Sequence, residues 1–215
     1  MGFALLGWPP DAPTLRLDYR RFAYAGKFVV GSTGKAVVRA ATADRNGGDT
    51  RDADGDSTGS DPIPKAAVDT DYDDVLAAAS FSADRTDPGR LCVRYVTVRT
   101  DRRGEGLGSR LLAFVAARAD ERGYDRVRIA VNNPAAYRAA YRAGFAFTGT
   151  ETGLAELVCE RPAPRPASRD VDGYRDGLAR YRERDLDDET LARLDEARAA
   201  GPPPVVDPPG DEPGR

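Results

Sequence analysis

Val98-Arg99-Thr100-Asp101-Arg102-Arg103-Gly104-Glu105-Gly106-Leu107-Gly108-Ser109 is the stretch on which the reading of this chain turns. A strand-like run, Leu91 to Val98, feeds a glycine-rich loop, and a helical pattern opens at about Leu107. Glycines let a backbone approach a ligand with no Cβ in the way. The first N–H groups of a helix have no intrahelical partner and lie at the positive end of its dipole. A phosphate is the group such a terminus binds. The dipole supplies only about 0.3–1 kcal/mol per exposed anionic contact, so several amides and a nearby Arg are needed. A Walker loop requires Gly-Lys-Ser/Thr, and no Lys follows these glycines. The dinucleotide fingerprint starting at Gly104 fails at its sixth place, which is Ser109. What fits is Arg-x-x-Gly-x-Gly, realised as Arg103, Gly106 and Gly108.

Outward from this loop the pattern is regular. Val75 to Ser82 and Leu91 to Val98 read as two strands, with turn chemistry at Asp84-Arg85-Thr86-Asp87-Pro88-Gly89, which predicts a hairpin. Leu107, Leu111, Leu112, Val115 and Ala119 form one helical stripe, stopped at Gly123. Arg126 to Val131 alternates as a strand. Asn133 as N-cap, Pro134 in the first turn and Gly144 just past the end frame a second helix. Phe145-Ala146-Phe147 and Leu154 to Cys159 suit two closing strands. The order is hairpin, helix, strand, helix, strand, strand. It predicts an α/β (α+β) fold, a mixed and mostly antiparallel central sheet with flanking helices.

The flanks differ in composition. Residues 1–13 read as an irregular N-terminus, and Thr14 to about Ala41 as strands, clearest at Lys35 to Arg39. Residues 42–64 carry almost no apolar mass and read as an acidic, disordered insert. The expected domain is 14–161. Residues 162–201 read as a linker and C-terminal helices, with Tyr174, Leu178 and Tyr181 on one face and Asp187 or Asp188 as a cap. Residues 202–215 read as a disordered tail.

With 215 residues, of which 40% are hydrophobic and 31% charged, the chain can bury a real core. There is no histidine, which excludes Ser-His-Asp triads, HExxH zinc sites and imidazole bases. Two cysteines, Cys92 and Cys159, make neither a disulfide framework nor a four-ligand zinc site, so they read as small buried hydrophobes in a reducing, cytoplasmic setting and no metal is expected. No apolar run approaches the roughly 20 residues that span a bilayer, so no membrane partner is expected. Net charge is −3, and Arg110, Arg118, Arg122, Arg126 and Arg128 are interleaved with Asp120, Glu121 and Asp125. That reads as a solvated face rather than a nucleic-acid surface.

The Val98, Arg103, Gly106, Gly108 series resembles the pyrophosphate motif of the GCN5-related N-acetyltransferase (GNAT) superfamily. Asn133, Ala136, Gly144 and Phe145 resemble its later Asn-x-x-Ala and Gly-Phe signature. Together the two cover roughly residues 75–160. The resemblance implies an acetyl-CoA-dependent N-acetyltransferase. It places the pyrophosphate on the loop of Arg103, Gly104, Gly106, Leu107, Gly108 and Ser109, and the pantetheine arm beside Val96 and Val98. Asn133 and Ala136 complete the expected cofactor-binding set, with no metal. It implies a small-molecule or protein amine as acceptor and leaves a homodimer open. Relatives often carry a Tyr seven residues after the helix Asn, as general acid toward the CoA thiolate. That place is Ala140 here, flanked by Tyr137 and Tyr141. Tyr141 is the expected catalytic residue and Tyr137 the runner-up. A second departure is the 91–98 strand, whose polar members are Arg94, Tyr95 and Thr97 and which lacks the carboxylate many relatives use as base. Asp101, Glu151 and Glu156 are near only in sequence. These departures keep a second reading in play, a non-catalytic acyl-CoA-binding sensor or interaction module.

Overall fold

The computed structural model describes residues 1–10, 12–40, 70, 71 and 74–210. Nine strands and four α-helices are formed by the described residues. The strands are β1 Gly2–Gly7, β2 Leu15–Arg16, β3 Gly34–Arg39, β4 Thr70–Asp71, β5 Val75–Ala83, β6 Arg90–Val98, β7 Arg126–Val131, β8 Ala146–Glu151 and β9 Leu157–Pro162. The helices are α1 Leu107–Asp120, α2 Pro134–Arg142, α3 Val171–Arg182 and α4 Asp188–Ala200. Seven strands make one sheet in the order β1-β3-β5-β6-β7-β9-β8, and β2 pairs with β4 beside it. Only β6 and β7 run parallel within the large sheet, because α1 carries the chain from one to the other. The mixed, mostly antiparallel sheet is the one the sequence predicts.

Strand alternation divides the interior in two. Val38, Ala77, Ala79 and Phe81 face α1 and its stripe of Leu111, Leu112 and Val115. Val37, Val75 and Ala78 face the other way, onto Leu15, Phe22 and Phe28. Apart from the two residues of β2, the segment 14–33 is therefore a cover, not the run of strands expected. It forms turns, with Arg20 N–H donating to Asp18 Oδ1 and the N–H groups of Arg21 and Phe22 donating to the Asp18 carbonyl. A carboxylate that bonds its own downstream backbone competes with strand pairing.

Four further expectations are corrected. Residues 1–13 are not irregular: β1 lies antiparallel on β3, with Phe3 opposite Val38, and buries Phe3 against Phe114. Position 161 is not a domain boundary, since Tyr174, Leu178, Tyr181, Leu194 and Ala197 belong to the same core as α1. Residues 202–210 of the tail are ordered onto the domain: Val206 N–H donates to the Arg142 carbonyl, and Arg169 Nη1 donates to the carbonyls of Tyr141 and Pro203. The Val206 bond satisfies the Arg142 carbonyl at the end of α2, and Arg169 adds a second donor to the Tyr141 carbonyl, which already accepts from Gly144 N–H; composition alone reveals neither. The last closing strand starts at Leu157 rather than Leu154, because Thr152–Glu156 closes a turn and Leu154 is exposed. The insert 42–64 lies outside the described residues. Asp170 and Asp187 cap α3 and α4 through the N–H groups of Gly173 and Thr190.

Of the Arg face, Arg118 pairs with Glu121, and Arg126 pairs with Asp87 and Glu160. Arg110 and Arg122 instead lie over the rings of Phe3 and Trp8. Cys92 and Cys159 are both buried and free. Burial pushes the Cys159 thiol up to about 12. Among the described residues, no helix is long and apolar enough to cross a membrane and no cluster of metal-ligating side chains occurs.

Candidate active site

Two features of β6 make the site. The first is a bulge. Ser80 pairs with Tyr95 and Phe81 with Val93, so Arg94 is the extra residue. The second is a parting of the sheet. β6 pairs with β7 only from Arg90 to Val93, whereas β7 continues to Val131. Beyond the bulge, β6 keeps β5 on one edge and has lost β7 on the other. Arg99 N–H donates to the Leu76 carbonyl, so alternation turns the main-chain groups of Val96 and Val98 to the open edge. A partner chain with amide groups could add there as a strand does.

The open edge leads into the glycine loop. Thr100–Arg102 makes one 3₁₀ turn, and Gly106 is the N-cap of α1 with φ 76° and ψ 9°. Gly104 has φ 88°. A side chain at either position would be strained, and a Cβ there would meet no atom within 4 Å. Gly108 is less demanding, since its Cβ would sit 3.5 Å from Val98 Cγ2. The side chains of Leu107 and Ser109 are buried, which pins the first turn. The first backbone bond of α1 runs from Arg110 N–H to the Gly106 carbonyl. Among the described residues, the amides of 103–109 donate to no protein group. Arg99 is bidentate to Asp101, and Arg102 to Glu105. Arg103 is exposed and has no carboxylate partner among the described residues. A cluster of free amides, a helix N-terminus and one uncommitted guanidinium together have the chemistry of an anion cradle. Arg103→Ala should weaken acetyl-CoA binding about tenfold, about 1.4 kcal/mol, with the deficit shrinking as salt is raised in calorimetric titrations.

Across the opening stands the end of β7 and the start of α2. Asn133 accepts from Ala136 N–H and caps α2, so its side chain and Ala136 serve first to hold that helix. Asn132 Nδ2 donates to Tyr24 Oη, and the Asn132 carbonyl accepts from Arg184 Nη1. Tyr24 also meets Tyr95, with ring centroids 5.9 Å apart. Asn132 follows directly on β7, and Tyr24 and Arg184 bond to it, yet no sequence pattern marks the three. They come from three distant segments, and Tyr24 sits at φ 60°, a strained conformation for a tyrosine.

Tyr137 and Tyr141 are elsewhere. Both are buried in a cluster with Tyr174 and Tyr181 beneath α3. Tyr141 Oη accepts from Phe147 N–H at 3.0 Å, and Tyr137 Oη points at the carbonyls of Gly173 and Tyr174. Burial raises both phenol pKa values. Neither hydroxyl faces solvent. Tyr141→Phe should cost about 1–3 kcal/mol of stability, the penalty of an unsatisfied buried N–H, measured by denaturant unfolding. The carboxylates flagged by sequence are also engaged. Asp101 is held below its ordinary range by Arg99, Glu151 pairs with Arg180, and Glu156 accepts from Thr152.

A parted mixed sheet with unpaired amides at the foot of its open edge defines the class, a mixed-sheet α/β protein. Residues 39–145 match the model of the Acetyltransferase (GNAT) family, and the chain belongs to that family. Among solved structures it is similar to a nourseothricin acetyltransferase (27% identity over 42% of this chain and 59% of that one, TM-score 0.38). It is similar also to a GCN5-related N-acetyltransferase from Kribbella flavida (23% identity, 41% and 61% covered, TM-score 0.37). A third is an N-acetyltransferase from Staphylococcus aureus Mu50 (17% identity, 61% and 68% covered, TM-score 0.40). The chain spans about three fifths of the length of the first two. No curated protein matches.

Proposed function

We propose that the chain is an acetyl-CoA-dependent N-acetyltransferase. The observation that carries this reading is the run of unpaired amides at 103–109, continuous with the open edge of β6. The cradle takes the pyrophosphate of CoA. The pantetheine amides pair with the main chain of Val96 and Val98. That path brings the thioester toward the bulge at Arg94.

The chemistry asked of the protein is modest. A neutral amine attacks the acetyl carbonyl carbon, a C–N bond forms, the C–S bond breaks, and the electron pair leaves with the CoA sulfur. Holding both reactants together supplies up to about 7–11 kcal/mol in well-aligned cases. An N–H of the open β6 edge stabilises the developing oxyanion. The amine proton goes to solvent and the thiolate takes its proton from solvent, since both tyrosine hydroxyls are buried and paired. A lysine-like ammonium lies about 3.4 units above pH 7, so its deprotonation costs about 4.6 kcal/mol. Isothermal titration with acetyl-CoA followed by thiol release over an amine panel tests the reading. Saturable binding with turnover supports it, and no binding at millimolar acetyl-CoA defeats it.

A second reading is favoured by one observation: no carboxylate lies on β6, and the tyrosine hydroxyls are closed off. A non-catalytic acyl-CoA-binding module needs neither. It predicts binding with no thiol release, and turnover of any amine removes it.

A further inference from the structure

We propose that the acceptor is an amine that also carries an anionic group, a carboxylate or a phosphate, held in the cavity that begins at the β6 bulge. The proposal rests on the acyltransferase reading and narrows its substrate class.

The cavity measures about 690 Å³ and opens on the sheet face away from α1. It starts at Arg94 and Tyr95, where the thioester path ends, and runs toward the β5–β6 turn. Its charge is one-sided. Lys27, Arg85 and Arg94 line it, all three exposed and without a carboxylate partner among the described residues. Arg94 Nε donates to Ser82 Oγ at 2.9 Å, which aims the guanidinium without neutralising it. The one acid on the wall, Asp84, is consumed. It accepts from the N–H and Oγ1 of Thr86, from Cys92 Sγ and from Arg90 Nε.

Two groups beneath the wall point the same way. Ser80 lines the cavity, is 1% exposed, and its Oγ has no hydrogen-bond partner among the described residues. A buried hydroxyl left unpaired costs about 1–3 kcal/mol, which a ligand oxygen accepting from it would recover. Its cross-strand neighbour is Lys35, fully buried. Among the described residues, the Lys35 ammonium donates only to neutral oxygens, the Val30 carbonyl and the Thr33 carbonyl and hydroxyl, at 2.6–2.8 Å. Its charge is therefore uncompensated locally and adds to the field in the cavity. Such a field concentrates anions. It also disfavours the protonated form of a bound amine, lowering its pKa. The site would thereby supply by field what β6 lacks as a base.

The test uses paired amines with acetyl-CoA and thiol release: γ-aminobutyrate against n-butylamine, and O-phosphoethanolamine against ethanolamine. The expected result is a kcat/KM at least tenfold higher for an anionic member, carried mainly by KM. The two pairs show which anion is preferred. In K27Q/R94Q the ratio should fall to between one and two. A wild-type ratio of one or less in both pairs, or a ratio unaltered in the double variant, overturns the proposal. Backbone amide shifts of Ser80 and Arg94, titrated with the same amines with and without CoA, read the cavity independently of turnover. Saturable shifts from anionic members alone, lost in K27Q/R94Q, uphold the anion site even if no thiol is released; that outcome would count against the acyltransferase reading only. Shifts from neither member, or equal shifts from both, overturn it.

Discussion

Gly106→Val should reduce acetyl-CoA affinity at least a hundredfold. Gly106 holds φ 76° at the N-cap of α1, where a side chain costs about 1–2 kcal/mol and a β-branched one more. The cheapest relief is to turn the residue out of the left-handed region. That would move the 103–109 amides, which are free of protein acceptors among the described residues. The added side chain would also occupy the space now free in front of Gly106. A hundredfold loss corresponds to about 2.8 kcal/mol, within reach of strain plus misaligned amides. Gly108→Ala is the control. Its Cβ would make an ordinary 3.5 Å contact with Val98 Cγ2, so binding should fall less than threefold. Calorimetric titration of both variants, with thermal unfolding to confirm that each is folded, decides the matter. Comparable binding by Gly106→Val and wild type would refute the cradle.

Tyr137→Ala should lower stability by about 3–5 kcal/mol, the range for emptying a large aromatic site. Tyr137 is fully buried and touches Tyr141, Tyr174 and Tyr181, with ring centroids 4.8, 5.7 and 5.8 Å away. It joins α2 to α3, so its loss opens a seam as well as a cavity. In a chain of this size that corresponds to a Tm lower by roughly 6–20 °C. The opposite perturbation tests the same contact. A Cβ on Gly177 would lie 2.1 Å from Tyr137 Oη, so Gly177→Ala forces the ring aside and should cost about 1–3 kcal/mol by overpacking. If Tyr137→Ala and Gly177→Ala both unfold as wild type does, α3 is not docked as described. Tm alone does not separate a local from a global loss, so chemical denaturation should accompany it.

Elements with short-range signals were legible. The α1 stripe, the Asn133 cap with Pro134, and the Asp84–Gly89 turn each encode their geometry within a few residues. The Arg-x-x-Gly-x-Gly spacing belongs with them, because left-handed glycines and a helix start are local properties. Tyr141 went the other way. Position along α2 brought it close to the expected acid, but its direction is fixed by Tyr174 on α3, which sequence placed in a separate segment. The tail is a similar case. Pro-rich composition said nothing about the α2 carbonyls to which Val206 and Arg169 donate.

By itself the sequence determined the order of strands and helices from β5 to α2 and the glycine loop between β6 and α1, since these follow from backbone preference and hydrophobic period. Only the tertiary structure decided where β6 parts from β7, which tyrosines are closed off, and which cations share a cavity with Ser80. These depend on pairing between segments as far apart as Tyr24 and Asn132. Such contacts arise from packing and charge compensation across the sheet, and no local run of residues carries them.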